Sequence, residues 1–132
     1  LFLIFISVFL FNNDTVSYIE GRDFKGYIFS KEHYVFMTIE NQRERFTPTT
    51  DEIRIIENRL KKKIKCENKN KENQYENCPI IHKKLNNYTR QYVGFINNKG
   101  EKIIWINCIW SKNVNKERDA VRPFYFLLCS CW

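Results

Sequence analysis

Cys78-Pro79-Ile80-Ile81-His82 is the one local arrangement in this chain with the residue types of a nucleophilic site. A cysteine at a helix N-cap faces free amide donors and the positive end of the helix dipole, and both favour the thiolate. His82, four residues on, would share that helix face and could act as its base. No third group to orient the histidine is identifiable. The plainer reading is a bridged or buried cysteine beside a surface histidine. Cys66 and Cys108 could join Cys78 around a metal, but zinc sites use closely spaced Cys-x-x-Cys pairs. Here eleven residues separate Cys66 from Cys78, and Cys129-x-Cys131 is tighter than such pairs. The sequence therefore implies no metal and no cofactor, and it favours a non-catalytic protein over an enzyme.

The second candidate is electrostatic. The formal charge is +7 and it is unevenly spread. Between Arg54 and Lys84 there are ten Lys/Arg against four Glu, a net of +6. Arg59, Lys61, Lys62, Lys63 and Lys65 form its densest part. Such a region attracts an acidic protein face, an anionic envelope surface or nucleic acid. The bland alternative is a solvated helix face. Nucleic-acid binding would pair these cations with Tyr75, Tyr88 or Tyr92 stacking on bases. Asp51, Glu52 and Glu57 read as helix electrostatics. His33, Trp105 and Trp110 read as packed residues.

These residues must be positioned by a small set of elements. The 132 residues fit one domain, and 43% hydrophobic with 16% aromatic residues can build a core. Val16 to Ile19 reads as a short strand. Phe24 to Phe29 and His33 to Ile39 read as a hairpin about Ser30-Lys31-Glu32. Thr47 and Pro48 precede a helix over Thr49–Lys65, with Thr47 as the cap and Asp51 and Glu52 at its positive end. Ile53, Ile56, Leu60 and Ile64 form its apolar stripe. Cys66 to Asn77 is polar and aperiodic and reads as a mobile loop. Pro79 opens a second, shorter helix, with Ile81, Leu85, Tyr88 and Tyr92 at helical spacing. Tyr92–Ile96 and Glu101–Trp110 form a hairpin around a Gly-containing loop. Both strands are apolar on both faces, which places them centrally. Phe124 to Cys129 reads as a last strand. The expected class is α+β, an antiparallel sheet packed with one long and one short helix.

Three segments carry a resemblance: Phe46-Thr47-Pro48-Thr49, Pro79 to Leu85, and the hairpin from Arg90 to Asn97 with Lys99 to Cys108. Over about Phe46–Trp110 the chain resembles small exported bacterial proteins of unknown function. The resemblance implies no activity. Such proteins continue into further sheet segments through an Asp-Gly-Gly turn, which this sequence lacks. Its residues 111–132 read as an atypical or truncated tail.

Leu1 to Phe11 is eleven residues with one polar member, Ser7. A transmembrane helix needs about 20 residues, so the run reads as the apolar segment of a signal peptide. The expectation is an exported protein with residues 12–132 as a single domain and no transmembrane span in the mature chain. Five cysteines suit that compartment, and Cys66 and Cys78 flank a loop that a disulfide would close. The function expected is binding of a macromolecular partner. The alternatives are a small Cys78/His82 hydrolase or thiol enzyme, and a basic nucleic-acid-binding module, which export disfavours.

Overall fold

A computed structural model describes residues 15–35, 42–72, 74, 76–113 and 129–130, with backbone alone for 113, 129 and 130. The expected signal segment, and most of the tail, lie outside these residues.

The elements run β1 (Val16–Glu20), β2 (Lys25–Phe29), β3 (Gln42–Phe46), α1 (Thr50–Glu67), α2 (Ile81–Lys84), β4 (Tyr88–Asn97), β5 (Lys102–Trp110) and β6 (Cys129–Ser130). The class is α+β, as expected. The sheet follows the order β1-β2-β4-β5-β6, with β3 also paired to β4. It is mixed, because β2–β4 and β5–β6 are parallel.

β4 organises the sheet. One of its edges pairs with β5 from Tyr88↔Trp110 to Ile96↔Lys102. The other is shared end to end: β2 takes Thr89–Val93 and β3 takes Gly94–Asn97. Arg45 stitches this junction, donating from Nε to Gly94 O at 2.9 Å and from Nη2 to Ser30 O at 3.2 Å. The expected β2 hairpin with His33–Ile39 is therefore corrected. Both edges of β2 are taken, by β1 and β4, and residues 33–35 are not strand. Residues 36–39 lie outside the described residues. Gly26 makes the β2–β4 approach possible, since a Cβ there would stand 2.5 Å from Arg90 O. In the β4–β5 turn Gly100 has φ +80°, a conformation glycine takes without steric cost.

The cap of α1 lies two residues later than Thr47. Thr49 is the N-cap in a full capping box: its hydroxyl accepts from Glu52 N, and Glu52 accepts from Thr49 N. Thr47 Oγ1 instead accepts from Lys31 N. The apolar stripe packs on one sheet face. Ile53 joins Ile19, Ile28 and Tyr92, while Leu60 and Ile64 pack against Ile81, Leu85, Tyr88 and Cys108. Burying each such aliphatic side chain stabilises the fold by roughly 1.5–3 kcal/mol. Among the described helices none is long and apolar enough to cross a membrane.

The second helix is shorter than its periodicity suggests. It ends at Lys84, a 3-10 turn covers Leu85–Asn87, and Tyr88 already belongs to β4. Tyr88 and Tyr92 remain on the helix-facing side because alternate strand residues share a face. The opposite face carries Val93 with Tyr27 and Phe29. It also carries a buried polar pair, Asn107 Nδ2 donating to Gln91 Oε1 at 2.9 Å.

Candidate functional site

The Cys78/His82 pair does not form a nucleophilic site. Cys78 is buried and disulfide-bonded, so it offers no thiolate. It is also not a helix cap: the N-cap of α2 is Ile80, and α2 is only four residues long. Cys66 is a free, exposed thiol. The bridge expected between Cys66 and Cys78 therefore does not form, because Cys66 faces outward on the last turn of α1 while Cys78 is packed inward. Cys108 is buried in the core against Ile81, Leu85 and Tyr88. No metal-competent group of three or more ligands occurs among the described residues.

The loop after α1 is more fixed than its composition implies. Asn68 is fully buried and donates to Gln74 Oε1 at 2.7 Å. Gln74 Oε1 also accepts from Ile81 N, and its Nε2 donates to Cys78 O at 3.1 Å. One glutamine thus ties the end of α1 to the start of α2.

The five basic residues of the patch, Arg59, Lys61, Lys62, Lys63 and Lys65, separate into two groups. Arg59, Lys62, Lys63 and Lys65 are exposed. Among the described ion pairs none of these four meets an acid. Lys61 leaves the patch, because its Nζ is bound to Asp23 Oδ2 at 2.6 Å. Outward along α1, Ile55, Arg59, Lys62 and Cys66 follow at spacings of four, three and four, a single stripe on the solvent side. Ile55 is 53% exposed. From Arg59 to the helix end there are five cations against one anion, Glu67. The aromatic half of the nucleic-acid reading is corrected: Tyr88 and Tyr92 are wholly buried and cannot stack on bases, and Tyr75 lies outside the described residues.

Glu57 is not a surface helix charge. It is 6% exposed and stands under α1 against Arg90, which is completely buried. Arg90 Nε lies 3.3 Å from Glu57 Oε1, an ion-pair contact without hydrogen-bond alignment. Arg90 Nη2 donates to Glu57 Oε2 at 3.3 Å, and Nη1 donates to Leu85 O at 2.8 Å and to Tyr88 O. Tyr92 Oη donates to Glu57 Oε1 at 2.8 Å. Burial, reinforced by the charge of Glu57, pushes the Tyr92 hydroxyl far above its ordinary pKa, so it stays a donor. The signal was in the sequence. Glu57 falls on the same stripe as Ile53, Leu60 and Ile64, and Arg90 alternates with Tyr88 and Tyr92. Opposite charges at core positions of two elements imply a buried pair.

A cavity of about 250 Å³ opens beside this pair. Glu57 and Arg90 form its floor. Arg22 and Asp23 from the β1–β2 loop and Lys61 from α1 stand at its rim, and Asn58 and Asn86 contribute amides. The hydrogen bond and charge of Lys61 hold the Asp23 carboxyl below its ordinary range. Two surfaces therefore carry unspent polar capacity, the outer face of α1 and this cavity, and neither is identified by likeness, since no family model, curated protein or solved structure matches the chain.

Proposed function

We propose that this chain is a non-catalytic, exported binding module that engages an acidic macromolecular partner through the outer face of α1. The observation carrying this reading is the set of four exposed cations, Arg59, Lys62, Lys63 and Lys65, which meet no acid among the described ion pairs. An unneutralised cluster raises the local potential and the encounter rate with anionic surfaces. Ile55 beside it supplies the apolar contact that a purely electrostatic encounter lacks. The apolar run at residues 1–11 supports export. An acidic protein face is favoured over a membrane, because a single exposed isoleucine offers little surface for insertion into lipid.

The test uses fluorescently labelled poly-L-glutamate as the acidic probe, with anionic phospholipid vesicles as the second arm. Reversing Lys62 and Lys63 to glutamate should weaken polyglutamate binding by about tenfold or more, given two cations lost and two anions gained. Binding to both forms should weaken with salt over a Debye length near ~10 Å at 0.1 M. Charge reversal without effect on polyglutamate would sink the reading. Vesicle binding in place of polyglutamate binding would replace the protein partner by a membrane surface.

A further inference from the structure

We infer that the cavity between the β1–β2 loop, α1 and the start of β4 is a binding site for a small oxyanion, a carboxylate- or phosphate-bearing molecule. The inference goes beyond the outer-face reading and does not depend on it.

Charge comes first. The lining holds three cations, Arg22, Lys61 and Arg90, and two anions, Asp23 and Glu57, so its net charge is +1. A monoanion would neutralise it.

The hydrogen-bond inventory points the same way. Both carboxylates already accept from the protein: Glu57 from Tyr92 and Arg90, and Asp23 from Lys61. The donors are not used up. A lysine ammonium has three N–H groups, and that of Lys61 gives one hydrogen bond, to Asp23. Arg22 is exposed and makes no ion pair among the described contacts. The amides of Asn58 and Asn86 add neutral donors. Below them, the buried Arg90 keeps its positive charge beside the cavity, with its Nε 3.3 Å from Glu57 Oε1 but not aligned to donate to it. A site with surplus charged donors, both carboxylates already paired to a cation and a net positive charge selects oxyanions over cations.

Volume sets the size class. Sites for drug-sized ligands run roughly 300–1,000 Å³, and about 250 Å³ falls just below them. The site therefore suits a small metabolite, and a macromolecular chain would not fit.

Asp23 has a specific part in this arrangement. It is the one carboxylate at the rim, and it holds Lys61 Nζ at 2.6 Å. An incoming oxyanion must share Lys61 with it. Removing the Asp23 charge should therefore strengthen binding, a sign opposite to that expected of a residue that only supports the fold.

The experiment titrates the isotope-labelled full chain with sodium succinate, with sodium phosphate and with sodium chloride at matched ionic strength, and follows amide resonances. Saturable shifts at Arg22–Phe24, Asn58 and Asn86 with succinate alone assign a carboxylate ligand. The same shifts with phosphate alone assign a phosphate ligand. Either supports the site. Lys61→Met should weaken binding about tenfold, the loss of one charge-assisted hydrogen bond. Asp23→Asn should tighten it about threefold by removing a repelling charge, whereas Glu76→Gln, the same charge change at an exposed loop position, should not. Lys62→Met, on the outer face, should leave it unchanged. The inference is overturned if chloride reproduces the shifts, if neither oxyanion saturates, or if Lys62→Met weakens binding as much as Lys61→Met. It also fails if Asp23→Asn weakens binding.

Discussion

Replacing Arg90 by methionine keeps most of the aliphatic stem and removes the guanidinium. Glu57, 6% exposed, would then be a buried carboxylate without its cation, and Leu85 O and Tyr88 O would lose a donor. Breaking one side of a buried pair costs about 3–5 kcal/mol, against a total stability of roughly 5–15 kcal/mol. Glu57→Leu should cost a similar amount, since it strands the Arg90 charge and the Tyr92 hydroxyl. The double variant holds no unpaired buried charge. Its remaining cost is that of the orphaned neutral groups, about 1–3 kcal/mol each. The double should therefore be less destabilised than the two singles combined, by at least about 2 kcal/mol. Urea unfolding followed by circular dichroism reads this directly. A loss of about 3 kcal/mol moves the midpoint by roughly 1–3 M at typical slopes. Singles that add to the double within about 0.5 kcal/mol, or an Arg90→Met cost below about 1 kcal/mol, would refute the claim that this pair is a coupled core element.

Ile53→Ala should destabilise by about 2–5 kcal/mol, because the side chain is fully buried. Ile55→Ala, two residues away and 53% exposed, should stay within about 0.5 kcal/mol. Equal effects in thermal melts would mean that α1 presents a different face to the sheet. Glu52 gives a pH signature. The hydrogen bond from Thr49 N, with that from Lys102, lowers its pKa below the ordinary 4.5. Its contribution is therefore present above pH 4.5 and lost as pH falls through the lowered folded value. Glu52→Gln should flatten the stability profile in that acid window, and an unchanged slope would count against the capping box as its source. In the Glu57→Leu/Arg90→Met double variant, the Asp23 pKa should move back toward 3.8, as Lys61 loses its fixed position beside it. Carboxyl titration by NMR would show this, and an Asp23 that stays depressed would mean that Lys61 is held by other contacts.

What was legible in the sequence follows from which forces act locally. The apolar stripe of α1 and the β4–β5 hairpin are written in short-range periodicity, and both stand where the spacing places them. The pairing of β2 was not legible. Its neighbours are β1, close in sequence, and β4, more than sixty residues on. No local pattern announces a parallel partner at that distance. The second helix was overextended for a related reason. Ile81, Leu85, Tyr88 and Tyr92 do share one core face, but they reach it by passing from helix to strand. Burial alone does not fix the period when the chain changes element between two buried residues. The cysteines show a further limit: Cys66 and Cys78 flank a loop, yet orientation decides bridging, and proximity in sequence does not.

The buried pair also explains why the basic residues of α1 separate as they do. An apolar stripe tolerates small rotations of a helix on a sheet, since hydrophobic contact is non-directional. An ion pair with hydrogen bonds from Arg90 and Tyr92 does not. With Glu57 fixed toward Arg90, the helical turn of about 100° per residue sets every other side chain. Lys61, one turn on, lies about 40° away and meets Asp23 at the cavity rim. Lys62 lies about 140° away and Arg59 about 200° away, on the solvent side. One buried carboxylate thus divides a run of like charges between the cavity rim and the solvent face of α1. A lysine-rich sequence without Glu57 would present the same composition with no such division.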